Sequence, residues 1–181
     1  MTYALLTSIK NLIAPLRSPH TGAVKDAALQ QALTGYGKTQ AVQANGFVSE
    51  SDVCDVLLMK LLGQAHLHPE LRSDGCIRVR TESGCIASIH IDTVDRSLQF
   101  SAIYRLVRAT NTALGQALTQ RINAGFRYAR ASLDSDGDLH IDYWYPYAAG
   151  LVEGQFLYVL RRFGIVCNHA VHTVDSANIV L

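Results

Sequence analysis

Apolar residues along this chain recur with two periods, every second residue and every third or fourth, and the changes of period mark out its elements. Ile77, Val79 and Thr81 alternate with Arg78, Arg80 and Glu82; Ala87, Ile89 and Ile91 alternate with Ser88, His90 and Asp92; Leu98, Phe100, Ala102 and Tyr104 alternate with Gln99 and Ser101. A period of two is that of a half-buried strand. Ser83-Gly84 joins the first pair and Thr93 to Ser97 the second, which is too short for a parallel crossover, so these strands are predicted to run antiparallel. Upstream, Ser49 as an N-cap and Asp52 in a first turn predict a helix through Val53, Val56, Leu57, Met59, Leu61 and Leu62, stopped by Gly63 or Pro69. Downstream, Asn111 caps a helix in which Leu114, Leu118 and Ile122 recur every fourth residue and which ends near Gly125.

The stretch from Phe126 to Phe163 is the most legible. From Arg127 to Leu133, Ala129, Ala131 and Leu133 share one face and Tyr128, Arg130 and Ser132 the other. Asp136-Gly137 then predicts a tight hairpin, since both central residues of a type I′ turn need positive φ. Leu139, Ile141, Tyr143 and Tyr145 point one way and His140, Asp142 and Trp144 the other. After Pro146 and Gly150 the period becomes helical: Phe156, Val159, Leu160, Phe163 and Cys167 line one side, with Glu153, Arg161 and Arg162 left for solvent. The order α-β-β-β-α-β-β-α, with one apolar face per strand, predicts an α+β fold in which helices pack on one face of an antiparallel five-stranded sheet. Residues 1–45 read as an N-terminal helical appendage, with weakly amphipathic runs from Tyr3 to Ile13 and Val24 to Leu33 stopped by Pro15 and Gly35. Residues 46–181 form the domain proper.

Composition narrows the function classes. The 181 residues, 49% of them hydrophobic, are enough for one sizeable core. A formal net charge of +1 leaves no electrostatic footprint for a phosphate backbone, so nucleic acid is not an expected partner. Cys54, Cys76, Cys85 and Cys167 are far apart and form no CxxC pair, which reads as four reduced core thiols in a cytoplasmic protein. Met1 to Ala14 has no leading basic residue and is interrupted by Lys10 and Asn11, so neither a secretory signal nor a membrane span is expected.

Candidate chemistry dissolves residue by residue. Asp134, Asp136, Asp138 and Asp142 suggest a calcium loop, but the sixth and twelfth positions counted from Asp134 hold Leu139 and Tyr145 in place of Gly and Glu, so a solvated turn is expected. Gly37, Lys38 and Thr39 match the end of a phosphate-binding loop whose first glycine falls on Ala32. His66 with His68, and His169 with His172, lack a third metal ligand nearby in sequence. Cys167 and His169, two apart on a helix, point away from each other and make no nucleophilic pair. No catalytic residue, metal or cofactor is assigned, and the chain is expected not to be an enzyme.

The element order, together with INAGFRYARASLDSDGDLHIDYWYP and GLVEGQFLYVLRRF, resembles the YbjN-like family of candidate bacterial sensory transduction regulators. Asn123, Asp136, Gly137 and Gly150 match that family's helix end, hairpin turn and last-helix start. The resemblance implies a fold similar to type III secretion chaperones, small α+β proteins that often dimerise and bind peptide segments of partners. It implies no reaction.

Arg78, Arg80, His90, Tyr128, Arg130, His140 and Trp144 are expected to project from the exposed face of the sheet, and aromatics with Arg are the mixture enriched at interfaces. The expected function is therefore a protein-interaction or regulatory module. Trp144, Tyr128, Arg130 and Arg80 are its candidate partner-binding residues, the partner being another protein or a dimer mate. The alternative is a small-molecule sensor with a pocket between sheet and helices.

Overall fold

Three hairpin turns of one design build the sheet. The computed structural model describes residues 46–107, 110 and 112–181. The helical runs of the first 45 residues, Gly37-Lys38-Thr39 and the Asn111 cap lie outside them. In Arg72–Cys76, Thr81–Cys85 and Asp134–Asp138, the first residue's N–H donates to the fifth residue's carbonyl at 2.9, 2.9 and 3.0 Å. The glycine at the fourth place donates back to the first carbonyl at 3.0, 2.9 and 3.2 Å. Gly75, Gly84 and Gly137 take φ of +82°, +88° and +82°, a left-handed conformation that costs a residue without Cβ little. The backbone reverses over five residues with only the glycine at positive φ. Asp136 is not among the positive-φ residues, which corrects the expected two-residue type I′ turn to a wider turn closed by a glycine bulge.

These turns join β2 (Glu70–Leu71) to β3 (Ile77–Arg80), β3 to β4 (Ile86–Asp92), and β6 (Arg130–Leu133) to β7 (Leu139–Pro146). With β5 (Ser97–Tyr104) they form a six-stranded sheet of order β2-β3-β4-β5-β7-β6, antiparallel throughout. The expected count was five. The extra strand, β2, is two residues long and exposed, too short for a period, but Ser73-Asp74-Gly75 ahead of β3 repeats the Ser135-Asp136-Gly137 of the later hairpin and was the available signal. A separate pair, β1 (Phe47–Val48) with β8 (Leu151–Val152), leads into the last helix.

Ile77, Val79, Ala87, Ile89, Leu98, Phe100, Ala102, Ile141 and Tyr145 form the buried face of the sheet, the face the alternation predicts. Three helices pack there: α1 (Asp55–Gln64), α2 (Thr112–Gly125) and α3 (Glu153–Val174). The first begins later than expected, because Ser49 precedes a single 3-10 turn and Cys54 is the N-cap. Leu58, Leu61 and Leu62 are its buried residues, and Val56 faces solvent. In α2, Gly115, Leu118 and Ile122 are buried and Leu114 is exposed. Asn123, near its end, donates to the Ala131 carbonyl at 2.9 Å and accepts from the Ala131 N–H at 2.7 Å. Its side-chain amide thereby replaces the strand that β6, at the sheet edge, lacks. Phe156, Leu160, Phe163 and Cys167 of α3 are buried as expected. Its two arginines are not left to solvent: Arg161 pairs with Glu82 at 2.8 Å, and Arg162 lies over the Tyr128 ring at 4.2 Å. Of the four cysteines only Cys85 and Cys167 are core residues; Cys54 is exposed and Cys76 half-buried.

The acidic cluster is a turn lock. Asp134 Oδ1 accepts the amides of Asp136 and Asp138 at 2.9 and 2.8 Å, and Oδ2 lies 3.1 Å from His140 Nε2. Desolvation alone raises the Asp134 carboxyl, but the two amides and His140 outweigh it and hold it below its ordinary value. Such a group contributes stability above its unfolded pKa and loses it as pH falls through the lowered folded value. Asp134→Ala is expected to cost about 1–2 kcal/mol at neutral pH. Urea titrations of both proteins should show the difference shrinking as pH drops below about 4; a difference that is independent of pH would refute the lock.

Candidate functional site

The opposite face of the sheet is the candidate site, since among the described residues no helix covers it. Side chains alternate across a strand, so burying one set in the core sends the other outward. Strand pairing arranges that outer set in rows. Arg78, Ser88, Ser101, Asp142 and Arg130 run from β3 to β6; beside them Arg80 pairs with Ile86, and His140 with Ile103 and Ser132. His90, Gln99 and Trp144 form a third, shorter row. The last β6–β7 pair is Arg130 with Asp142, so Trp144 stands at the corner where strand pairing on that side ends.

Trp144 is 46% exposed and Ile103 56%, large apolar side chains in the middle strands of the sheet. Gln99 Nε2 donates to Asp142 Oδ1 at 3.1 Å, fixing one carboxylate between Trp144 and Arg130. Burial pushes the Asp142 carboxyl up, and the Gln99 hydrogen bond and the charges of His140 and Arg130 only partly offset it. β3 and β6 are four strand spacings apart, about 19 Å at ~4.8 Å per strand. The arginines therefore flank an apolar centre and do not merge into one basic patch.

Of the four candidate residues, the structure brings Trp144 and Arg130 together and leaves Arg80 across the sheet, where its Nη1 donates to the Gly84 carbonyl at 3.3 Å. Tyr128 belongs elsewhere, which corrects the expected face. The strand begins at Arg130, not Arg127, and Tyr128 occupies the preceding turn. Its ring stacks under Arg162 of α3 and lines a small hollow with Tyr143, Tyr158 and Phe163 on the helix side. A guanidinium over an aromatic face is an attractive contact, and no local period reports it. Ile86 and Ile103, absent from the expected set, continue the Ser88-His90 and Gln99-Ser101 phases by one step, so their signal was present.

His66 and His68 both take positive φ, +60° and +45°, in the chain's exit from α1. Among the described residues no three His, Cys, Asp or Glu side chains gather as metal ligands. No helix among them is long and apolar enough to cross a membrane. Two larger cavities open at the strand ends. One of about 920 Å³ lies between the β6–β7 turn and α2; one of about 430 Å³ lies between α3 and the β4–β5 edge.

Helices on one side of an antiparallel sheet, with a mixed aromatic, aliphatic and arginine surface on the other, define the structural class as an α+β fold with one open sheet face. Within it, the chain is similar to a solved structure of YbjN from E. coli, described as a candidate transcription regulator. The two share 17% identity over 68% of this chain and 92% of that one, with a TM-score of 0.57. The likeness is one of fold, and at that level it agrees with the resemblance carried by the residues from Ile122 to Phe163. No family model matches the chain, and no curated protein matches it in sequence.

Proposed function

We propose that the protein is a non-enzymatic interaction or regulatory module of the cytoplasm that binds a partner protein through the open face of its sheet. The observation that supports this reading is the half-exposed Trp144 beside Arg130 and Asp142, with Ile103 and Ile86 exposed on the neighbouring strands. Interface hot spots concentrate in Trp and Arg, and a surface of this kind gains by being desolvated. The fold's likeness to a candidate regulator is consistent with that role, as is the secretion-chaperone likeness that the family resemblance implies. Pairing of two copies through the same face is the variant of this reading that needs no second protein.

A photo-crosslinking residue at Gln99, beside Trp144, tests it against the same residue at Tyr158 on the outer side of α3. Crosslinks are expected from Gln99 and not from Tyr158, with the mass of the product distinguishing a second copy from another protein. Trp144→Asp should weaken the captured interaction at least about 30-fold, the cost of losing an anchor of about 2 kcal/mol. Equal yields from the two positions would sink the reading. Loss of binding with rising salt, with the product a nucleic acid, would replace it by one in which the flanking arginines grip phosphates.

A further inference from the structure

Helix α3 is clamped to the Thr81–Cys85 turn at three points spaced along its length. Arg161 Nε meets Glu82 at 2.8 Å, Asn168 Nδ2 donates to the Ser83 carbonyl at 3.0 Å, and Gly164 brings the helix backbone against the Thr81 side chain. Between the last two lies Cys167, fully buried, and the turn ends in Cys85. The Tyr104 hydroxyl donates a hydrogen bond to the Cys85 sulfur at 3.6 Å, and the two thiols are near enough to shift each other, Cys85 downward and Cys167 upward. Cys85 also lines the cavity of about 430 Å³, together with Tyr104, Asn168 and His172, and Cys167 does not.

We propose that Cys85 and Cys167 form a redox site, in which a small hydroperoxide reaching the cavity oxidises the pair to a disulfide that staples α3 to the β3–β4 hairpin. The cavity is lined by Cys85 and not by Cys167, whose thiol burial pushes up, which assigns the order of events. Cys85 sulfur attacks one peroxide oxygen, the O–O bond breaks, and water (or the alcohol, for an organic peroxide) leaves, with Cys85 now a sulfenic acid. Cys167 sulfur then attacks Cys85 sulfur, the S–O bond breaks, and hydroxide departs as water with the Cys167 proton. In sum two thiols lose two electrons and two protons, and the hydroperoxide takes both.

Two observations make the pair more than a pair of buried hydrophobes. A thiol needs no hydrogen-bond donor to be stable in a core, yet Cys85 receives one from the Tyr104 hydroxyl. The clamp also fixes the helix in register with the turn and holds Cys167, between Gly164 and Asn168, beside the turn that ends in Cys85.

The test uses the full chain with the outer thiols removed, Cys54→Ser and Cys76→Ser, treated with a stoichiometric amount of hydrogen peroxide. Intact mass should fall by about 2 Da, peptide maps should link Cys85 to Cys167, and dithiothreitol should reverse both. The oxidised form should melt at least about 5 °C higher, because the bond closes a long loop. With Cys167→Ser added, a sulfenic acid trapped by dimedone is expected at Cys85. The unsubstituted chain, mapped after the same treatment, should carry the same link whether or not that variant folds. Peroxide-treated protein in which both thiols remain alkylatable on denaturation, or in which Cys167 alone is oxidised, would overturn the proposal.

Discussion

Phe100→Ala should lower the unfolding free energy by about 3–5 kcal/mol, the largest effect expected of any single substitution in the described domain. Phe100 is completely buried near the middle of the sheet. Its ring lies 6.0 and 5.9 Å from Phe156 and Phe163 of α3, and 6.1 and 6.3 Å from Tyr143 and Tyr145 of the adjacent strand. Truncation removes the transfer free energy of the ring and leaves a void that four aromatic neighbours, each held by its own backbone, fill poorly. Since small domains are stable by only about 5–15 kcal/mol, the midpoint of a urea titration should move far toward zero denaturant. Phe100→Leu, which keeps most of the volume, should cost less than half as much. A loss under about 1 kcal/mol for the alanine variant would mean that the sheet and α3 close over the gap and that their contact is softer than the structure indicates.

Enlarging Gly164 is the second strong perturbation. A Cβ built there meets the Thr81 Cβ and Cγ2 at 2.8 Å, closer than packed carbons approach. Thr81 cannot swing aside cheaply, because it is buried and its hydroxyl is tied to Ser83 Oγ at 2.9 Å and to the Cys85 carbonyl at 3.2 Å. Overpacking of this kind costs about 1–3 kcal/mol. Replacing a mid-helix glycine with alanine returns about 1 kcal/mol of helix propensity, so Gly164→Ala should lose up to about 2 kcal/mol net and Gly164→Leu about 3. Combining Gly164→Ala with Thr81→Gly should restore part of the loss, a non-additivity that a double-mutant cycle reads directly. A Gly164→Ala variant that melts higher than the parent would show slack between helix and turn. The same substitution carries a consequence for the dithiol site: lifting α3 from the turn separates Cys167 from Cys85, so peroxide-driven linkage should slow in step with the loss of stability.

How far each feature was legible depends on the range of the interaction behind it. The phases of β3, β4, β5, β6 and β7 follow from a two-residue period, and they correctly send Arg78, Arg80, His90, Arg130, His140 and Trp144 to one side. β2 escaped because two residues cannot display a period, although its turn repeats the Asp-Gly chemistry found elsewhere. The helix start at Asp55 was misread because Ser49 and Asp52 satisfy a capping pattern that a single 3-10 turn uses equally well. Tyr128 was assigned to the outer face by extending the alternation two residues beyond the true start of β6, where the backbone had already left the strand.

The sequence by itself determined the α+β class, the antiparallel pairing, the Gly84 and Gly137 turn positions and which side of β3, β4, β5 and β7 is apolar. All of these follow from backbone geometry and solvent preference within a few neighbouring residues. Only the tertiary structure decided that Arg162 holds Tyr128 on the helix side, that Asn123 stands in for a missing edge strand, that Asp142 lies between Trp144 and Arg130, and that Cys85 meets Cys167. Apart from Asp142 and Trp144, which share a strand, residues eight to eighty-two positions apart come together there, and their pairing depends on how helices and sheet dock, a long-range packing outcome with no local period to announce it.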